Sequence, residues 1–252
     1  MTRIKITCVL LLILIVSGCS NSSEKTSRLR IGQFIFSDKP VEISFQKKDE
    51  KKLQKKLNYA ELSDYQDLPS GVYKVEVTSE NHVILEEELG IGSSGMYTLI
   101  LNGILKPGHK TNELSSSMRL HEIVEGEEAI YPNAYLPQMR VLNDEFEVGT
   151  NEAKIRWVHL APGVASLSGE SKQENKQVFK SSSSYPKASK NITIPPEKQE
   201  ISWSLKGNKI PVSNIQLKPD SQKLYTIFLI ANRKDYLDSL KLVVGETPKK
   251  QF

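Results

Sequence analysis

The chain has 252 residues, enough for one large domain or for two of about 100 residues each. Of its formal charge of +4, two units belong to Arg3 and Lys5 in residues 1–18, so the remainder carries +2, too weak a field to attract nucleic acid. Its two cysteines, Cys8 and Cys19, leave everything after residue 19 without a disulfide or a thiolate metal site, so an apolar core must hold that stretch together.

Arg3 and Lys5 open the chain, and residues 6–16 form an almost unbroken apolar run. A bilayer-spanning helix needs about 20 such residues, so this run has the layout of a signal peptide rather than of an anchor. Val16-Ser17-Gly18-Cys19 follows and resembles the lipobox of bacterial lipoproteins. The resemblance implies that the thiol of Cys19 accepts a diacylglyceryl group, and that cleavage after the small residues Ser17 and Gly18 leaves the lipid on the new N-terminus. Two acyl chains suffice for stable anchoring, at about 0.8 kcal/mol per buried methylene. Residues 1–18 are therefore expected to be a lipoprotein signal peptide, palmitate-type acylation is expected at Cys19, and the polar residues 19–27 read as a flexible tether.

Beyond the tether the patterning is that of short strands. Leu29, Ile31, Phe34 and Phe36 fall in the first. Val41, Ile43 and Phe45 alternate with polar residues. The run 47–56 is dense in lysine and reads as a solvated hairpin guarding an edge strand, with anionic lipid or wall polymer as the other reading. Leu68-Pro69-Ser70-Gly71 suits a type I turn. Tyr73, Val75 and Val77 oppose Val72, Lys74 and Glu76, and Val83, Leu85 and Leu89 continue the alternation. Residues 97–101 are nearly all apolar, as in a strand buried on both faces. The same order returns in 155–160, 200–205, 209–217, 224–231 and 240–244, with Gly207-Asn208 as a two-residue hairpin signal.

A set of correspondences in one order makes a tandem repeat. Arg28-Leu29-Arg30-Ile31 parallels Lys154-Ile155-Arg156-Trp157. Tyr59 and Leu68-Pro69 parallel Tyr185 and Ile194-Pro195, and Leu89 and Tyr97-Thr98 parallel Leu217 and Tyr225-Thr226. Leu99, Leu101 and Val75 should then match Ile227, Leu229 and Ile201. The repeats are placed at 28–124 and 152–246. The segment 125–151 holds too many apolar residues for a free linker and is expected to lie against one or both domains.

Phe36-Ser37-Asp38-Lys39-Pro40-Val41-Glu42-Ile43, Leu68-Pro69-Ser70-Gly71-Val72-Tyr73 and Val158-His159-Leu160-Ala161-Pro162 resemble motifs of the bacterial surface family catalogued as domain of unknown function 4397. The resemblance covers nearly all of 28–246. It implies an all-β chain of two tandem immunoglobulin-like β-sandwich domains in an exported protein, and it brings no chemistry with it. Repeat two departs from the pattern, with a shorter loop after Pro162 and Pro195-Pro196-Glu197 where repeat one has its Gly-containing turn.

A search for chemistry gives no catalytic site, no metal site and no cofactor. Of His82, His109, His121 and His159, none has another histidine at zinc-ligand spacing. His159, in an apolar strand beside Trp157, reads as packing or a loop hydrogen bond. The acid pairs Glu86-Glu87-Glu88, Glu127-Glu128 and Asp144-Glu145 read as exposed strand positions rather than paired glycosidase carboxylates. Ser115-Ser116-Ser117 and Ser181 to Ser184 read as loops. The sequence thus points to a lipid-anchored protein on the extracytoplasmic face of the cell membrane. Its expected role is a non-catalytic binding or structural module contacting envelope protein or wall polymer. A small-ligand-binding lipoprotein serving a transporter is the alternative, and an envelope hydrolase stands third.

Overall fold

The computed structural model describes residues 26–48, 52–105, 135–173, 176–205, 211–231 and 240–249. The lipobox with Cys19, the Gly207-Asn208 turn, Ser115 to Ser117, Glu127-Glu128, His109 and His121 lie outside the described residues. Among the described residues the elements are all strands. In the first half they are β1 (Thr26–Phe36), β2 (Val41–Gln46), β3 (Leu53–Leu57), β4 (Glu61–Leu62), β5 (Gln66–Pro69), β6 (Gly71–Ser79), β7 (His82–Ile91), β8 (Met96–Ile104) and β9 (Gln138–Asn143). In the second they are β10 (Ala153–Leu160), β11 (Leu167–Gln173), β12 (Lys176–Ser183), β13 (Ile192–Ile194), β14 (Gln199–Leu205), β15 (Pro211–Leu217), β16 (Lys223–Ala231) and β17 (Leu240–Pro248).

Each half is a β-sandwich, and the two follow one plan. The first pairs a sheet β4-β1-β8-β9, with β5 also on β1, against a sheet β3-β2-β6-β7. The second pairs β13-β10-β16-β17 against β12-β11-β14-β15. In both, the first strand runs parallel to the penultimate one, with Leu29 opposite Tyr97 and Ile155 opposite Tyr225. Leu99 lies opposite Ile31 and Ile227 opposite Trp157, so the two copies share one register. Val75 and Ile201 correspond as well, each two residues along from the partner of Leu89 or Leu217. Strand β9 comes from the segment expected to join the domains. It completes the first sandwich as β17 completes the second, so the segment contributes a strand besides lying against the body.

Alternation along the inner strands fills two sides at once. Leu29, Ile31, Leu99 and Leu101 point into the first sandwich with Ile43, Phe45, Val75 and Val77. Ile155, Trp157, Ile227 and Leu229 point into the second with Ile201 and Trp203. The intervening residues Phe34, Ile100, Val158, Leu160, Phe228 and Ile230 meet each other in a third apolar layer. The four sheets therefore stack, with those of β1 and β10 innermost. This is why 97–101 and 224–231 read as continuous apolar runs: a strand covered on both faces has no solvent side to mark. Gly169 on β11 lets the two tryptophans close over it, since an added Cβ would lie 2.8 Å from Trp203 Nε1 and 2.9 Å from Trp157 Cζ2.

Four expectations are corrected. The expected tether 19–27 ends sooner, because Thr26 and Ser27 are already paired residues of β1 and Ser27 is buried. Val83 is 54% exposed instead of inward, because a register shift between Val77 and Thr78 inserts one residue and reverses the facing of β7 beyond it. Ser181 to Ser183 are strand residues of β12, paired with Gly169, Ser168 and Leu167, rather than loop. Pro69 is still paired, with Thr26, and β6 begins at Gly71, so Ser70 alone links the two sheets where a turn centred on Pro69-Ser70 is expected. The lysine-rich run does flank an edge: β3 borders its sheet, and Lys56 on it is exposed.

Candidate functional site

The most concentrated chemistry lies between the sandwiches. Arg30 on β1 and Arg156 on β10 occupy equivalent positions, and both point into the layer between the inner sheets. Arg30 donates through Nε to Thr98 Oγ1 at 2.8 Å, through Nη1 to the Glu246 carbonyl at 3.0 Å and through Nη2 to Thr247 Oγ1 at 3.2 Å. Arg156 repeats this set in mirror fashion. Its Nε donates to Thr226 Oγ1 at 2.9 Å, its Nη1 to the Asn143 carbonyl at 2.6 Å, and its Nη2 to Asp144 Oδ1. Each arginine thus binds a threonine of its own sandwich and the last edge strand of the other.

The copies differ in the acidic member of the node. Asp144 stands where repeat two has Thr247, and its carboxylate also accepts from Thr98 Oγ1 and lies 4.0 Å from Arg30 Nε. Tyr65 spans the difference: its hydroxyl is 2.7 Å from Asp144 Oδ2 and 2.8 Å from Thr247 Oγ1, and its ring lies under the guanidinium groups of Arg30 at 4.7 Å and Arg28 at 5.2 Å. Burial above all, with the Asp144 charge second, raises the Tyr65 pKa, so the phenol stays protonated and serves as a donor. Burial lowers that of Arg156 and the adjoining Asp144 opposes the shift, which leaves the guanidinium charged. Two buried cations thus share one buried anion. The reading of Asp144-Glu145 as exposed acids is corrected here: Asp144 is 0% exposed, while Glu145 remains at the surface.

At the other end of the interface the tyrosines of the repeat reach across. Tyr59 donates to the Ala231 carbonyl at 2.7 Å, and the Tyr185 hydroxyl accepts from Asn102 Nδ2 at 2.9 Å. Beside Tyr185, His159 is fully buried. Its Nε2 faces the carbonyls of Val164 and Ala165 at 3.1 and 3.2 Å, and its Nδ1 accepts from the Ala161 amide. That arrangement requires the neutral ring protonated on Nε2, and burial pulls its pKa down to about 4. The equivalent residue of repeat one is Gln33, whose Oε1 likewise accepts the amide two residues on, from Ile35. His159 therefore packs and closes a loop.

The other histidine described, His82, is exposed on β7 in the other sandwich, and Glu86 to Glu88 are exposed on that edge strand. Among the described residues no three His, Cys, Asp or Glu side chains gather as metal ligands, and no helix is long and apolar enough to cross a membrane. A shallow cleft of about 570 Å³ is lined by Thr26, Arg28, Asp67, Ser94, Pro248 and Lys249. The arginine–aspartate node was not anticipated as a site. Its one trace in the sequence is an arginine at the same place in the first strand of each repeat.

No family model and no curated protein matches the chain. Among solved structures, the Bacillus anthracis TIE protein aligns over 86% of this chain at 15% identity and a TM-score of 0.26, and this chain spans 34% of it. A leucine-rich repeat protein from Bacteroides thetaiotaomicron aligns over 78% of this chain and 24% of its own at 10% identity and 0.22. A putative cell adhesion protein from Bacteroides ovatus aligns over 90% and 98% at 7% identity and 0.24. The fold is therefore argued from the strand pairing of this chain itself.

Two outcomes follow. Asp144→Asn leaves two buried guanidinium groups without a counter-charge and should cost on the order of 3 kcal/mol in urea unfolding. For His159, the unfolded ring takes a proton near its ordinary 6.5 and the folded one only near 4, so stability falls as pH drops through that window. His159→Gln, which installs the residue of repeat one, should remove a fall of about 3 kcal/mol between pH 6.5 and 4, measured as the difference between wild-type and variant unfolding free energies.

Proposed function

We propose that the chain is a lipid-anchored, non-catalytic binding or structural module on the extracytoplasmic face of the cell membrane. The observation that carries the reading is the filled space between the sandwiches. Phe34 and Phe228 meet there with their rings tilted by 32° and their centroids 4.8 Å apart, and Ile100, Leu160 and Ile230 close around them. A small-ligand carrier needs a cleft lined by groups able to hold its cargo. The apolar fill between these sandwiches supports the module over that alternative. The lipobox Val16-Ser17-Gly18-Cys19 supports the anchor, and the seven residues from Cys19 to Thr26 span at most about 25 Å. The body would therefore sit close to the bilayer, with its outer sheets turned to envelope protein or wall polymer.

Growth with labelled fatty acid tests the anchor. Label should enter the wild-type protein and fractionate with membranes, while Cys19→Ser should carry no label and be released. Equal labelling of both would overturn the lipid attachment.

A further inference from the structure

We infer that copies of this protein join head to tail through the first sandwich, with β3 of one copy pairing to β7 of the next so that the outer sheet continues from chain to chain. The inference goes beyond the proposed role, and the lipid does not enter it.

The sheet β3-β2-β6-β7 ends in two strands of opposite charge. Strand β3 carries Lys55 and Lys56, and β7 carries Glu86, Glu87 and Glu88. Among the described residues neither strand has a neighbour on its outer side. Lys55, Lys56, Glu87 and Glu88 make no ion pair among them either, while Glu86 is paired with Lys74. The fold itself does not call for acids at this edge: β15, which stands in the second sandwich where β7 stands in the first, has no charged residue.

The strand directions suit an added copy. β3 is antiparallel to β2, β2 to β6, and β6 to β7. β3 and β7 therefore run in opposite directions, and a second copy brought alongside in the same orientation presents its β3 antiparallel to β7. Lys55 lies opposite Ile43 and Glu87 opposite Val75, both core residues, so Lys55 and Glu87 belong to the inner face.

One register fits. With Lys55 against Glu87, Lys56 meets Glu86, Gln54 meets Glu88, and Leu53 and Leu57 meet Leu89 and Leu85. Leu53, 40% exposed at the edge of its sheet, gains cover there. A shift of two residues either way sets Lys55 and Glu87 each against a leucine. Pairing β3 with β3 would set lysines together, and pairing β7 with β7 would set glutamates together, so like edges repel. The contact joins unlike edges and leaves one of each free, so it can extend beyond a pair of chains.

Sedimentation velocity on the chain from residue 19 with Cys19→Ser, which holds every described residue, tests this. The short ladder makes a small contact, so association is followed up to about 1 mM protein. Species should grow past the dimer as concentration rises and shrink in about 1 M salt. Glu87→Lys with Glu88→Lys makes both edges basic, and Lys55→Glu with Lys56→Glu makes both acidic. Each double variant alone should need about tenfold more protein to associate. An equimolar mixture of the two should recover association, because every contact between them again joins lysine to glutamate. Disulfide crosslinking separates strand pairing from charge attraction at large: Lys55→Cys mixed with Glu87→Cys should link several-fold faster than Lys55→Cys mixed with Val83→Cys. A wild-type chain that stays monomeric would overturn the inference. So would double variants that associate like the wild type, a mixture that does not recover, or equal crosslinking at positions 83 and 87.

Discussion

Two guanidinium groups held against one carboxylate in the middle of a protein impose a constraint that the surrounding structure must meet. A charge removed from water is tolerated only when its partners are in place. Here the partners of each arginine are divided between the sandwiches: Arg30 takes Thr98 from its own and Glu246 and Thr247 from the other, and Arg156 takes Thr226 and then Asn143 and Asp144. Neither sandwich alone satisfies its own arginine. Separating them would leave buried donors exposed to a changed set of partners and would also uncover Phe34, Ile100, Phe228 and Ile230. The polar node fixes how the inner sheets are aligned, and the apolar layer beside it is removed from water by the same contact.

The rest of the architecture follows from that alignment. Inner strands β1, β8, β10 and β16 have cover on both faces and are buried almost throughout. The outer sheets have one wet face, and there the charges pair at the surface, as Lys74 with Glu86 and Lys52 with Glu76. Such exposed pairs contribute little to stability. The edge strand β3 carries lysines, which oppose chance pairing with another chain. Binding, if it occurs on these outer sheets, would be borne by a scaffold whose two halves cannot turn against each other without opening the node.

Much of the fold was legible in the sequence because side-chain alternation records which face is covered. The register of Leu99 and Leu101 with Ile227 and Leu229 could be read from spacing alone, since a slip of one residue would turn every apolar side chain outward. What spacing does not record is an inserted residue, and the bulge opposite Val77 and Thr78 turned Val83 outward. The serines 181 to 183 misled for a related reason: their polarity suits a loop, but it also suits a strand at the border of its sheet. The node was the least legible part. Arg30 and Arg156 were recognisable as repeated positions, yet nothing nearby marked them as buried. Asp144 sits beside Glu145 and Glu147 in a stretch that looks solvated, and its counterpart Thr247 is uncharged. Tyr65 has no copy in repeat two, where the equivalent position is Asn191.

If the shared arginines bind the sandwiches into one unit, the two must unfold together. Both tryptophans, Trp157 and Trp203, lie in the second sandwich, so their fluorescence reports on that half alone. Amide hydrogen exchange in β2 and β6 reports on the first. Followed through one urea titration of the wild-type chain, the two signals should share a single midpoint. Loss of protection in β2 and β6 at a urea concentration where the tryptophans remain native would contradict the account.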